Sequence, residues 1–150
     1  MLLGALAGAF PGAIRAERIA DLRESPDGET ETAAAACASD ATTLCVNSNR
    51  FKVTAIWRSA DANGNGQAVK LTDDSGYFWF FTPSNVEMIV KALNGCAFNN
   101  RYWIFAGGLT NVQVTITVTD TQTGAVKTYS NPLNTAFAPI QDTSAFASCP

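Results

Sequence analysis

Two segments of the chain alternate between apolar and polar residues. In residues 51–58 the apolar side chains Phe51, Val53, Ala55 and Trp57 occupy every second position. In residues 112–118, Val and Ile alternate with Gln and Thr in the same way. Because successive side chains of a β-strand point to opposite faces, this period of two predicts two half-buried strands.

Shorter segments between turn residues predict further strands. They cover residues 67–71, 77–81, 86–93, 98–105 and 125–129, with one more strand at 136–140 in an extended tail. Asn, Asp and Gly clusters separate them, as expected for tight turns. Short strands with frequent turn signals predict an all-β fold, an Ig-like two-sheet β-sandwich of about seven strands that begins near Cys37.

The first 36 residues follow a different pattern. Residues 2–10 are apolar, residues 13–24 have the spacing of a short amphipathic helix, and residues 29–39 are rich in Thr, Glu and Ala. We expect residues 1–36 to be a helical or disordered leader, arm or linker, and residues 37–150 to be the sandwich domain. A retained apolar arm would pack on another copy of the chain, whereas a cleaved or disordered leader would not.

The chain has four cysteines, Cys37, Cys45, Cys96 and Cys149, and no histidine. Without closely spaced Cys or His pairs a zinc site is not expected. Two disulfides have three possible connectivities, of which we favour Cys37 with Cys45 and Cys96 with Cys149. Such bonds indicate a protein that is secreted, on the cell surface or in a periplasm. Four buried free thiols are the alternative interpretation.

Charge and hydropathy exclude two classes of partner. Charged residues make up 15% of the chain, which carries a net charge of -3. No cluster of Lys and Arg is present to follow a phosphate backbone, so nucleic acid is not an expected partner. No segment approaches the ~20 apolar residues of a membrane span.

Several motifs together resemble a family of bacterial exported domains. They are LTDDSGYFWFF at 71–81, NVEMIVKALNGC at 85–96, WIFAGGLTNV at 103–112, TVTDTQTGAVKTY at 117–129 and DTSAFASCP at the C-terminus. The similarity covers the chain from about Cys37 onward. It implies a bacterial origin and export, and it supplies no catalytic residues.

Asp61, Asn63 and Asn65, followed by Gly66, match the first half of a calcium-binding loop. In such a loop alternate oxygen ligands converge on the ion. The twelfth position is Thr72, where the loop requires a bidentate Glu. Asn, Asp and Gly are also common in plain turns, so both a calcium site and an ordinary turn remain possible interpretations.

The aromatic run at 77–81 places Tyr77, Trp79 and Phe81 on one strand face and Phe78 and Phe80 on the other. Both faces of one small sandwich are not easily buried. Exposed Tyr77 and Trp79, together with Trp103, would form a ligand-binding surface of the kind that stacks on sugar rings. Core packing plus a sheet edge is the alternative.

Catalysis has few candidate groups. Without histidine, a Ser or Cys nucleophile lacks its usual base. The carboxylates Asp73, Asp74 and Glu87 would have to pair as acid and base, although two of them lie in a predicted turn. We therefore expect a non-catalytic extracellular structural or adhesive module, whose partner is another copy of itself or another extracellular protein. A carbohydrate-binding accessory domain is the alternative.

Overall fold

The computed structural model describes residues 35–150. The predicted helix at residues 13–24 and the apolar arm before it lie outside the described residues. No helix within residues 35–150 is long and apolar enough to cross a membrane. The described elements are one short helix, α1 (Cys96–Asn99), and the strands β1 (Thr43–Val46), β2 (Phe51–Arg58), β3 (Asn63–Asn65), β4 (Gln67–Lys70), β5 (Ser75–Trp79), β6 (Met88–Asn94), β7 (Tyr102–Gly108), β8 (Gln113–Asp120), β9 (Val126–Asn131) and β10 (Ile140–Phe146).

The strands form two antiparallel sheets. Sheet 1 has the order β1-β2-β8-β9, with β3 also paired to β2. Sheet 2 has the order β10-β7-β6-β5-β4. The two sheets pack face to face, which confirms the predicted all-β sandwich.

Alternation along the strands generates the core between the sheets. The inward-facing apolar residues of β2 are buried, and three of them, Val53, Ala55 and Trp57, pair with the buried Val118, Ile116 and Val114 of β8. From sheet 2, Phe78, Met88 and other residues at alternate positions point inward. Each such side chain contributes roughly 1.5–3 kcal/mol through removal from water. The period of two therefore accounts for both strand formation and packing.

Contacts between the sheets tie both sides of the sandwich. On one side, the Ala68 N–H donates to the carbonyl of Ala41 at 2.8 Å. On the other, the Tyr129 hydroxyl of β9 donates to Asp142 Oδ2 of β10 at 2.8 Å, and Lys127 Nζ lies 3.8 Å from the same oxygen. Burial and the Asp142 carboxylate raise the pKa of Tyr129, so its hydroxyl remains a donor at neutral pH.

Arg50 and Asp120 form a buried ion pair at one end of the sandwich. Arg50 Nε and Nη2 donate to the two carboxylate oxygens at 3.1 and 2.8 Å. The Asp120 side chain has 0% exposure. Arg50 also donates to the Tyr102 hydroxyl and to the Ser148 carbonyl, both at 2.7 Å. The Ser148 hydroxyl donates to Asp120 Oδ2 at 2.5 Å. The pair thus joins sheet 1, sheet 2 and the C-terminal segment.

Both favoured disulfides form. Cys37 bonds to Cys45 across a sequence separation of 8, and Cys96 bonds to Cys149 across a separation of 53. In the chain-entropy model a longer closed loop constrains the unfolded state more, giving about 4 kcal/mol for the second bond and about 2.5 kcal/mol for the first. The Cys96–Cys149 bond lies one residue from Ser148, so it reinforces the same end of the fold.

The described residues form ten strands, and the short β1 and β3, which both pair with β2, were not among the predicted segments. Two other details of the predicted strands are wrong. The tail strand begins at Ile140, where pairing with Ala106 starts, rather than at Ala136. Phe98 lies in α1 rather than at the start of a strand, because Asn94 Oδ1 accepts from the Cys96 N–H and begins a helical turn.

The Asp120 carboxylate makes the stability of the fold dependent on pH. Burial raises its pKa, but hydrogen bonds from Arg50, Ser148 and the Gln122 N–H outweigh burial and hold the pKa below its ordinary value. Such a carboxylate stabilises the fold above its unfolded pKa of about 3.9, and that contribution is lost as the pH falls through the folded pKa.

We expect Asp120→Asn to lower the free energy of unfolding by about 3–5 kcal/mol at neutral pH, since Arg50 would remain buried without its counter-charge. The variant should also lose part of the acid dependence. Urea melts between acid and neutral pH measure both effects. Lys70→Gln, which removes a solvent-exposed pair with Asp73, is the control and should change little. An Asp120→Asn variant as stable as Lys70→Gln would contradict this role of the ion pair.

Candidate functional site

The outer face of sheet 2 carries most of the partly exposed aromatic rings. Trp79 and Tyr77 point outward from β5, and Trp103 and Phe105 point outward from β7. Between these strands, β6 contributes Ile89, which is 48% exposed. The inward partners Phe78 and Phe80 are buried. The alternation holds as far as Trp79, where β5 ends; the Phe81 ring, which was predicted on the same face as Trp79, packs against Trp57 of sheet 1 instead, with centroids 4.7 Å apart.

Three rings on this face form a contiguous row, which we call the aromatic ladder: Phe98, Trp103 and Phe105. The ring centroids of Phe98 and Trp103 are 5.6 Å apart, and those of Trp103 and Phe105 are 6.3 Å apart. Phe98 is 80% exposed. The three adjoining rings form a contiguous, partly exposed apolar patch, and such patches are typical of interaction surfaces.

Polar and backbone contacts fix the central ring of the ladder. The Trp103 Nε1–H donates to Asn99 Oδ1 at 2.8 Å, and the Asn99 amide donates to the Thr143 carbonyl at 2.8 Å. Gly95 lies directly against the indole, and a Cβ added there would collide with the ring. Trp103 is thus held in one orientation by its neighbours.

The Cys96–Cys149 disulfide supports the same contacts. Cys96 begins α1, and Asn99 ends it, so the bond anchors the helical turn that carries both Phe98 and the partner of Trp103. A binding surface held in its bound geometry loses less conformational entropy on binding. The ladder is therefore preorganised.

Of the three predicted ligand-binding residues, the structure brings one into the ladder. Trp103 pairs with Leu93, Tyr77 pairs with Ile89, and Trp79 pairs with Gln67, so the three lie in different cross-strand rows of one outer face. Sequence reasoning missed Phe98, because it was assigned to a strand. The signal that could have indicated a turn rather than a strand at Phe98 was the Asn94-Gly95 pair directly before a disulfide cysteine.

A groove of about 330 Å³ lies beyond Phe105 on the same face. Gly107 lines this groove, and an added Cβ there would meet no atom within 4 Å. Ile89 of β6 and Phe105 of β7 line the groove, together with Ile140 at the start of β10 and Pro139 just before it. We call it the Gly107 groove.

The outer face of sheet 2 is nearly uncharged. Among its outward residues in the cross-strand rows, Lys91 is the one charged side chain. Its ammonium lies 5.1 Å from the centroid of Phe105. The surface is therefore apolar and aromatic with a single cation, and its chemistry favours a neutral ligand over a highly charged one.

A second groove, of about 350 Å³, lies on the outer face of sheet 1. Ile56, Arg58, Asn63 and Gln113 contribute to its lining. Trp57 also lines this groove, but it is only 9% exposed and its ring packs against Phe80, with centroids 5.8 Å apart. This groove presents no exposed aromatic ring, so it lacks the stacking surface found on sheet 2.

The proposed calcium ligands lie in and beside β3. Asp61 is exposed in a turn that the Ser59 hydroxyl stabilises by accepting from backbone N–H groups. Asn63 and Asn65 are both in β3, whose extended backbone spaces them by ~3.3 Å per residue along the strand. Within residues 35–150 no group of three or more His, Cys, Asp or Glu side chains has metal-binding geometry. Calcium binding at this loop stays a prediction.

The three carboxylates considered for catalysis make structural hydrogen bonds. Asp73 Oδ2 accepts from the Ser48 N–H at 2.9 Å, which lowers the pKa of Asp73, and Asp74 Oδ1 accepts from Asn47 Nδ2 at 3.2 Å. These bonds hold a turn in which Asn47 and Ser48 have positive φ. Glu87 is buried near the other end of β5, where it accepts from Asn85.

No family model, curated protein or solved structure matches this chain. The resemblance to a bacterial exported family, drawn from the sequence motifs, therefore stays a prediction.

The contact between Gly95 and Trp103 is testable by substitution. Gly95→Ala should displace the indole and break its hydrogen bond to Asn99, shifting the Trp103 indole N–H signal in a proton–nitrogen NMR spectrum. Gly107→Ala is the matched control, since its Cβ enters open space. An unshifted Trp103 signal in Gly95→Ala would mean that the ring is not held as described.

Proposed function

We propose that this chain is a non-catalytic adhesive module that acts outside the cytoplasm and binds carbohydrate through the outer face of sheet 2. The observation that carries the proposal is the aromatic ladder, in which Gly95, Asn99 and a disulfide hold Trp103 beside two other rings. Phe98 is 80% exposed and the other two rings are half-buried on the outer face, so the core between the sheets does not account for them.

Carbohydrate is the partner class that this chemistry fits best. The apolar C–H face of a sugar packs on an aromatic ring, while its hydroxyls need hydrogen-bond partners at the rim. The face offers rings at Phe98, Trp103 and Phe105, and polar groups at Lys91 and Gln141. Its single charge supports a neutral glycan rather than an acidic or basic partner.

The environment of the ionisable groups supports a non-catalytic role. The carboxylates considered for catalysis make structural hydrogen bonds: Asp73 accepts from Ser48, Asp74 accepts from Asn47 and Glu87 accepts from Asn85.

The two disulfides fit a protein that folds outside the cytoplasm, where such bonds persist. Together with the export implied by the motif resemblance, they support a secreted or surface location. A module there meets cell-surface and environmental polysaccharides, so its location and its proposed ligand agree.

Removing the central ring should weaken binding without unfolding the protein. We expect Trp103→Ala to weaken retention in gels that contain soluble polysaccharide by about tenfold or more, equal to at least 1.4 kcal/mol. Ile56→Ala is the control, because Ile56 is 54% exposed on the outer face of sheet 1. Equal retention of both variants and wild type, or no retention of wild type by any polysaccharide, would refute the proposal.

A further inference from the structure

The relative tilt of the ladder rings restricts the shape of the ligand. The planes of Phe98 and Trp103 are inclined by 44°, and those of Trp103 and Phe105 by 74°. A flat crystalline polysaccharide surface needs coplanar rings to stack on all of them at once. Rings that are inclined to one another can instead stack on successive sugars of a single polysaccharide chain whose backbone also turns.

The Gly107 groove continues the ladder along β7. Phe105 belongs to both, because its ring is the last of the ladder and a wall of the groove. The missing side chain at Gly107 opens space between Ile89 on one side and Pro139 on the other. A chain stacked along the ladder would therefore reach the groove next.

The rim of the groove offers hydrogen-bonding groups for sugar hydroxyls. Lys91 and Gln141 line it together with Phe105, with which both are paired in the sheet. Within residues 35–150 neither side chain has a hydrogen-bond partner in the protein. An apolar floor with polar groups at its edge matches the two kinds of surface on a sugar ring.

We infer that the ligand is a single neutral polysaccharide chain with a turning backbone, which stacks along the ladder and places one sugar ring in the Gly107 groove. This inference rests on the proposed function, and it adds both the shape of the ligand and a second point of contact.

The groove is tested by filling it. Gly107→Val should keep the wild-type melting temperature, since Val suits a strand and the site is open, but should weaken binding of soluble amylose by about tenfold. Thr117→Val, on the outer face of sheet 1, is the matched control. If Gly107→Val binds like wild type while Trp103→Ala does not, the groove is not a contact point, although the proposed function stands.

The shape of the ligand is tested by comparing probes on the wild-type protein. Soluble amylose and laminarin, whose chains turn, should bind, and microcrystalline cellulose should not. Retention on cellulose as strong as on the soluble glucans would overturn the turning-chain inference. If no glycan binds and light scattering shows a dimer that Trp103→Ala abolishes, the ladder contacts a second copy, and both proposals fail.

Discussion

The buried pair of Arg50 and Asp120 is the constraint on which the rest of the structure depends. A buried charge is costly without its partner. The folded chain must therefore bring these two side chains together. They lie at adjoining ends of β2 and β8, and Arg50 also reaches Tyr102 in the other sheet. The pair therefore links the two sheets at this end through a directional hydrogen bond, whereas apolar packing is not directional.

The same pair connects the core to the aromatic ladder. Ser148 accepts from Arg50 and donates to Asp120, and the next residue, Cys149, is bonded to Cys96 at the start of α1. That helical turn carries Phe98 and the Asn99 that holds Trp103. The exposed rings are thus supported by a continuous series of bonds that begins at a fully buried carboxylate.

Sequence reasoning recovered what local patterns determine. The alternation in β2 and β8 predicted the buried faces, and the cysteine spacing favoured the correct pairs. It missed what depends on distant residues. The ion pair of Asp120 was not predicted, because its partner Arg50 is 70 positions away in the sequence. The ladder was missed because a disulfide and Gly95 give Phe98 and Trp103 their positions, and no period in the sequence encodes that contact.

Titration of wild-type protein with soluble amylose, followed through the indole N–H signals, tests the central claim most directly. The chain has 3 Trp residues, and the buried Trp57 serves as an internal reference. The account predicts a saturable shift of the Trp103 signal while that of Trp57 stays fixed. A fixed Trp103 signal at saturating amylose, or a shift confined to Trp57 or Trp79, would contradict it.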